Sequence, residues 1–212
     1  MISLDVLMSN RTRWLPLALV AAVTACGQSP AEPDPPGTSK NLGDLVVLEL
    51  PGTAPALFSD SVAFYAKRNR KSEAAIYFRT ASGQQGEKFA ELKIEDATLL
   101  ARPDGTPFGL DDSVRIVMRA VPGKFMVELS PSGLKFSSTD PARLKLKYDE
   151  ADDDFDDDGD DDADDDETER KLSIWRQENL GDPFVKIGTV KVEGIRELEA
   201  RLTSFSRYAI AY

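Results

Sequence analysis

Apolar and polar residues alternate along most of the chain after residue 43, which is the pattern of β-strands with one buried face. The clearest stretch is 142–148, where Ala, Leu, Leu and Tyr alternate with Arg, Lys and Lys. Turn-forming pairs such as Ser82-Gly83 and Pro122-Gly123 separate the candidate strands. Further strands are predicted at Leu45–Leu50, Ser61–Lys67, Ala74–Thr80, Phe89–Ile94, Val114–Arg119, Lys124–Leu129, Leu172–Arg176, Phe184–Ile187, Thr189–Val192 and Phe205–Tyr212.

Only Gly194–Leu202 has helical character in this part of the chain. Many short strands at such spacing are typical of a sandwich, so the pattern predicts an all-β fold, an antiparallel β-sandwich over residues 44–212. The composition permits it: 41% of the 212 residues are hydrophobic and 30% are charged, which is enough apolar material for a packed core. The chain has no histidine and one cysteine, which excludes Ser-His-Asp and Cys-His catalysis, the usual zinc clusters and an internal disulfide.

The N-terminal region reads as an export signal followed by a tether. Arg11 and Arg13 precede an apolar stretch, residues 14–23, that is too short to cross a bilayer. Val23-Thr24-Ala25-Cys26 then resembles the lipobox of bacterial lipoproteins, in which the cysteine is lipidated and becomes the new N-terminus. The alternative is an ordinary secretory signal with an incidental cysteine. The expected organisation is a signal peptide at 1–25 and a lipidated Cys26 with a proline-rich tether over 26–43.

The lipobox resemblance implies where the protein lies. Acyl chains on Cys26 would hold the domain at a membrane, since each buried methylene contributes about 0.8 kcal/mol. The next residue is Gly27 and not Asp, which by similarity to enterobacterial sorting favours the outer membrane. The prediction is a cell-envelope protein whose first partner is a membrane.

The second half of the chain resembles the netrin-receptor/zona-occludens β-sandwich family. The likeness covers residues 89–212 and rests on four segments: Ser130-Pro131-Ser132-Gly133-Leu134-Lys135-Phe136, Pro141-Ala142-Arg143-Leu144, Leu172-Ser173-Ile174-Trp175 and Ser204-Phe205-Ser206-Arg207-Tyr208-Ala209. It implies an interaction or scaffold domain, not a conventional enzyme, and a strand at Gly194–Leu202. One branch of the family cleaves itself at His-Phe-Ser, which would correspond to the bond between Phe205 and Ser206. Here Ser204 replaces the histidine, and with no general base self-cleavage is not expected.

Charge is concentrated in one segment, residues 149–169, which we call the acidic segment. It holds 16 of the 37 acidic residues, and removing them leaves 21 against 26 basic residues, so the rest of the chain is net +5. Mutual repulsion predicts a solvated loop between two strands.

The acidic segment also has the residue spacing of a calcium loop. Asp154, Asp156, Asp158, Asp160 and Asp165 fall at positions 1, 3, 5, 7 and 12 of such a loop, with Gly159 at position 6. Clustered carboxylates suit hard cations, so Ca²⁺ is the one candidate cofactor. Three readings stay open: a specific calcium site, weak binding of several divalent cations, and a solvated spacer.

A basic turn, Lys67-Arg68-Asn69-Arg70-Lys71, is the counterpart of the acidic segment. The default interpretation is a solvated hairpin turn. Anionic lipid, surface polysaccharide and an internal contact with the acidic segment are the alternatives, and nucleic acid is not expected for an exported protein. An enzyme would have to use groups such as Asp111, Asp112 or Ser206, but no Gly-rich loop or nucleophile elbow accompanies them. The sequence therefore predicts a non-catalytic, membrane-anchored binding or structural module with an unknown protein or polysaccharide partner, and as the alternative a calcium-responsive module.

Overall fold

Two antiparallel sheets are packed together, and a third, two-stranded sheet accompanies them. The computed structural model describes residues 36–155, 159, 162–192 and 194–212. The strands and the α-helix of this part are β1 (Ser39–Lys40), β2 (Ser61–Lys67), β3 (Ser72–Arg79), β4 (Gln85–Ile94), β5 (Leu99–Ala101), β6 (Ser113–Ala120), β7 (Met126–Ser130), β8 (Lys135–Phe136), β9 (Ala142–Lys147), α1 (Ala163–Lys171), β10 (Ser173–Gln177), β11 (Phe184–Lys186), β12 (Thr189–Val192), β13 (Glu197–Leu202) and β14 (Arg207–Ala211).

The seven-stranded sheet has the order β1-β11-β10-β14-β7-β6-β2, and the five-stranded sheet has the order β12-β13-β9-β4-β3. The two-stranded sheet pairs β5 with β8. This arrangement confirms the predicted all-β antiparallel sandwich.

The core lies between the sheets and is filled by the apolar positions of the alternating pattern. Leu144, Leu146, Ile116 and Met118 are fully buried there. Aromatic rings connect the layers: Phe89 stacks on Phe125 with ring centroids 5.9 Å apart. Burial of each such side chain contributes about 2 kcal/mol, so the interior supplies most of the stabilisation.

A second apolar cluster covers part of the outer face of the seven-stranded sheet. Trp175 is fully buried there with Met126 and Phe184, and its indole N–H donates to the carbonyl of Ala211 at 3.0 Å. Leu45 and Val47 pack on this cluster from the segment that precedes β2.

Three predictions of secondary structure need correction. Leu45–Leu50 makes only isolated bridges, Val47 with Ala211 and Glu49 with Lys124, because it lies beside the short free end of β14 and the turn before β7. Residues 197–202 form β13, the strand that the family resemblance implied within Gly194–Leu202, and not the helix that the local residue character indicated, since Leu198 and its alternate neighbours face the core with a period of two. The acidic segment, predicted as a loop throughout, contains the start of α1.

The basic turn and the acidic segment lie at opposite ends of β9. Lys93 of β4 pairs with Arg143 at the start of β9, and the next β4 residue, Ile94, pairs with Ser72 at the start of β3. The basic turn immediately precedes β3, whereas the acidic segment follows the far end of β9. The six residues of β9 separate them by about 20 Å. The basic turn contacts other parts of the sandwich instead. Lys71 pairs with Glu95 at 2.8 Å, and Arg68 donates to the carbonyl of Phe108.

Candidate functional site

Phe155 fastens the acidic segment to the sandwich. It is the single aromatic residue between Asp149 and Glu169, and its ring is buried against the main core. The hydroxyl of Tyr212 donates to the carbonyl of Phe155 at 2.8 Å. The segment is therefore anchored at Phe155 by burial of an apolar ring. Repulsion between the carboxylates does not directly oppose this apolar contact.

Asp165 joins two points of the acidic segment. Its carboxyl is 2% exposed, and one oxygen accepts from the backbone N–H of Phe155 at 2.5 Å. The other oxygen accepts from the N–H of Asp162 at 3.0 Å. A buried carboxylate that accepts from two backbone donors has a structural role.

The start of α1 is fixed by the same contact. Asp162 is the N-cap and accepts from the N–H of Asp164 at 2.7 Å, which together with Asp165 completes a capping box. Acidic residues fill the first turn, and Arg170 and Lys171 lie in the last turn, which complements the helix dipole at both ends. The capping box and the placement of acidic and basic residues at opposite ends thus stabilise a helix, although the uniform negative charge of the segment predicts none.

Arg196 clamps the acidic segment from the β12–β13 turn. Its guanidinium lies 5.2 Å from the ring centroid of Tyr148 and 5.5 Å from that of Phe155. It also donates to Asp153 at 2.8 Å. The backbone of Arg196 has a φ of 40°, in the left-handed region that side chains with a Cβ disfavour. The clamp is therefore held at some cost in backbone energy.

Glu169 ties the C-terminal part of the segment to β12 and to the residue that follows β9. One of its oxygens accepts from Tyr148 Oη at 2.8 Å and from Lys191 Nζ at 2.8 Å. Burial disfavours ionisation of Glu169, but the hydrogen bonds from Lys191 and Tyr148 outweigh it and hold the pKa of this carboxyl below its ordinary value. Burial and the contact with Glu169 raise the pKa of the Tyr148 hydroxyl.

The predicted calcium ligands are only partly described. Asp154 and Asp165 lie in the described part, whereas Asp156, Asp158 and Asp160 lie outside it. Asp154 Oδ2 accepts from the N–H of Gly159 at 2.9 Å. Among the described residues, no group of three or more acidic or cysteine side chains is placed to hold a metal ion. The position-12 residue, Asp165, is used for the fold as set out above.

A cleft of about 780 Å³ lies beside the acidic segment. Its apolar wall includes Val46, Phe155 and Tyr212, and Asp152 and Lys124 lie among its polar lining residues. This volume falls within the usual range for small-ligand pockets, about 300–1,000 Å³.

The other residues that the sequence points to are engaged structurally. Phe205 is fully buried, and Ser206 Oγ accepts from Arg176 at 3.2 Å. Asp112 lies in the turn before β6, where it pairs with Arg102 at 3.0 Å. The N–H of Gly109 and the Arg102 guanidinium lower the pKa of Asp112. Asp111 is exposed in the same turn.

The predicted lipidation residue, Cys26, lies outside the described residues. In the part of the chain that the structure describes, no helix has the length and apolar character needed to cross a bilayer.

Sequence reasoning did not identify Tyr148, Arg196 or Lys191 as partners of the acidic segment. For Tyr148 a signal existed, because it is the last apolar position of the alternating stretch before the acidic residues. For Arg196 and Lys191 there was none, since their contacts depend on how β12 and β13 fold back beside β9.

No protein-family model, curated protein or solved structure matches this chain.

Proposed function

We propose that this chain is a non-catalytic lipoprotein of the bacterial cell envelope, held at a membrane through Cys26 and acting as a binding or structural module. The lipobox-like Val23-Thr24-Ala25-Cys26 supports the anchor, and the placement of the only cysteine at the end of an apolar stretch supports it further. By the same resemblance the membrane is the outer membrane.

The observation that carries the binding role is the cleft beside the acidic segment. Phe155 and Tyr212 form part of the wall of the cleft, and the hydrogen bond between them also anchors the acidic segment. A change in the position of the segment would therefore change the wall of the cleft. An apolar wall next to a few polar groups is the usual composition of a binding site. A protein or polysaccharide segment with apolar and cationic or hydroxyl groups fits that lining.

The anchor is tested by expressing the full chain in a bacterial host and comparing it with Cys26→Ser. The parent is expected in the membrane fraction with an acylated Cys26 by mass spectrometry, and the variant in the soluble fraction. Ser29→Ala is the matched control, because it changes a nearby residue and keeps the cysteine. An unmodified Cys26 in a soluble parent protein contradicts the anchor.

The second candidate function is a calcium-responsive module. It is supported by the contact of Asp165 with the backbone nitrogens of both Phe155 and Asp162. The six residues between those two nitrogens in sequence include five aspartates. Like charges confined between two fixed points repel one another, and a divalent cation relieves that repulsion.

Calorimetric titration with Ca²⁺ tests this candidate. Changing only the five aspartates at 156–158, 160 and 161 to Asn keeps Phe155, Asp165 and Glu169, so the anchoring contacts remain. We expect saturable heat in the parent and none in this variant. The control changes five exposed carboxylates elsewhere, Asp44, Asp60, Glu87, Asp96 and Asp111, by the same amide substitution. Equal loss of heat in the control, or no heat in the parent at physiological salt, rejects the calcium role.

A further inference from the structure

The outer side of β2 and β6 forms a basic surface at the edge of the seven-stranded sheet. In register, Tyr65 lies opposite Arg115, Ala63 opposite Val117 and Lys67 opposite Ser113, and Arg119 lies opposite Ser61. Their neighbours in sequence, Ala66, Ile116 and Met118, are buried in the core, so these side chains point away from it. We call Tyr65, Lys67, Arg115 and Arg119, with the small residues between them, the arginine face.

The cations of the arginine face are exposed to solvent. Among the described residues, Lys67, Arg115 and Arg119 form no ion pair within 4.0 Å. Glu128 lies opposite Arg119 in register, but its carboxylate is paired with Arg207.

Two carboxylates flank the face, and among the described residues neither is ion-paired with its cations. Asp60 precedes β2 and accepts from the hydroxyl of Ser61 at 2.9 Å, and Asp111 lies in the turn before β6. The cations Arg115 and Arg119 stand four residues apart on one strand, which separates their Cα atoms by about 13 Å. Two guanidinium groups at that spacing reach separate anionic groups, and each can bind a phosphate through two N–H donors.

Tyr65 adds an amphipathic ring to the same surface. It is 67% exposed although it stands in the middle of a strand. Val117 is half-buried and Ala63 is exposed, so apolar surface lies between the cations. Tyrosine is favoured at the headgroup level of membranes, where its ring meets apolar chains and its hydroxyl meets water.

We propose that the arginine face docks on an anionic phospholipid surface, with Arg115 and Arg119 on lipid phosphates and Tyr65 at the headgroup level. The face follows from the fold alone, and its access to a membrane rests on the proposed anchor. An open sheet surface with an exposed aromatic ring fits a bilayer better than a polysaccharide chain, which is held more readily in a groove.

The tether permits this orientation. β1, which follows the tether, and β2 are the two edges of the same sheet, six strand spacings or roughly 29 Å apart. The ten peptide units from Cys26 to Pro36 span at most about 35 Å when fully extended. A chain anchored at Cys26 is therefore long enough for the arginine face to contact the same membrane.

Co-sedimentation with vesicles tests the proposal, using residues 27–212, which contain every strand of the sandwich and lack the anchor cysteine. The vesicles are phosphatidylcholine alone and phosphatidylcholine with phosphatidylglycerol. We expect binding only to the second, although the whole chain has a net charge of -11. Because no acyl chain is present, this outcome does not depend on whether Cys26 is lipidated in the native protein.

The face variant is Arg115→Gln with Arg119→Gln. Each cation near an anionic surface contributes about fivefold in affinity, so we expect roughly 25-fold weaker binding in the double variant. The control, Lys135→Gln with Arg201→Gln, removes two exposed cations outside the face and should bind as the parent does. Thermal unfolding of all three checks that the fold is kept.

Three outcomes overturn the proposal. The first is equal weakening in the control, which would make the effect one of net charge. The second is equal binding to neutral vesicles, or no binding to either kind. The third is binding to a soluble anionic polysaccharide with none to phosphatidylglycerol vesicles, which would assign the arginine face to a glycan.

Discussion

The outer faces of the two sheets carry their charges in opposite ways. On the five-stranded sheet, basic residues of β4 and β9 are matched with carboxylates on neighbouring strands, as in Lys145 with Glu197 at 2.6 Å and Lys93 with Glu73 at 3.7 Å. Lys93 also pairs with Glu91 of its own strand at 3.0 Å. On the arginine face, Arg115 and Arg119 lack such partners among the described residues. Carboxylates thus accompany the cations of β4 and β9, whereas none is paired with Arg115 or Arg119 among the described residues.

Charge pairing on the outer face of the five-stranded sheet is tied to burial. Glu91 and Glu197 are 4% and 6% exposed, and a carboxylate so far from water requires a cation beside it. Arg115 and Arg119 are exposed and hydrated, so the fold does not need them to be paired. Charges that the fold does not need are available for a partner.

Removing Lys145 should destabilise the fold strongly. Lys145→Met keeps the length of the side chain and leaves the buried Glu197 without its cation, which we expect to lower the free energy of unfolding by about 3 kcal/mol. For a domain of this size that lowers Tm by about 9 °C. Arg115→Met, the matched change on the arginine face, is expected to alter stability by less than about 0.5 kcal/mol.

Chemical denaturation measures both variants, and adding Glu197→Met to Lys145→Met should restore most of the loss. Similar costs for Lys145→Met and Arg115→Met would show that the two faces do not differ in the way described.

The second effect is the pH dependence that Glu91 confers. Burial disfavours its ionisation, but hydrogen bonds from Lys88 and Lys93 outweigh it and lower the pKa of Glu91 to about 2. The unfolded-state pKa of a glutamate is about 4.3. Because the pKa of Glu91 is lower in the folded state, the residue stabilises the fold at pH values above the unfolded pKa, and this contribution is lost as the pH falls towards 2. At pH 6 we expect Glu91→Gln to cost about 2 kcal/mol, because hydrogen bonds to a charged group are lost.

Unfolding measured from pH 6 down to pH 2 should show the curves of the parent and Glu91→Gln converging. A difference that stays constant over this range would mean that the ionised carboxylate is not what stabilises the face.

The strands of both faces could be predicted from sequence, and the pairing of their charges could not. Period two in residues 142–148 identifies β9 and the side on which its basic residues lie, because alternation is a local property. That Lys145 meets Glu197 depends on β13 pairing with β9 across 52 residues of sequence. Which cations stay free is therefore a property of the topology.

The same distinction applies to the acidic segment. Its charge and its place between two strands were evident from sequence, but uniform acidity concealed the capping box of Asp162 and Asp165 that begins α1. The contact between Tyr212 and Phe155 joins residues 57 apart, beyond any local pattern. The calcium spacing was read from positions alone, whereas the fold uses Asp165 as a backbone acceptor.

Arg196 provides a third, smaller test, since it is a paired cation that lies on neither face. Arg196→Ala removes its contacts with Asp153 and the two aromatic rings, which we expect to cost about 1.5 kcal/mol. Arg196→Gly removes the same contacts but relieves the backbone at a φ of 40°. The glycine variant should therefore be more stable than the alanine variant by about 1 kcal/mol in denaturant unfolding. The reverse order would mean that the clamp carries no backbone strain.

The smallest effect comes from giving the arginine face the partner it lacks. Ala63 is exposed and lies opposite Val117, diagonally between Arg115 and Arg119. Ala63→Glu therefore places one carboxylate within reach of both arginines, and a cross-strand pair of opposite charge contributes about 0.5 kcal/mol. Ala63→Gln controls for side-chain size, and the difference between the two variants should disappear in high salt because exposed pairs are screened. If the arginine face binds an anionic surface, Ala63→Glu should gain this stability and lose binding to phosphatidylglycerol vesicles. Ala63→Gln should bind these vesicles as the parent does. If Ala63→Glu stabilises the fold and leaves vesicle binding unchanged, Arg115 and Arg119 have no role in membrane binding.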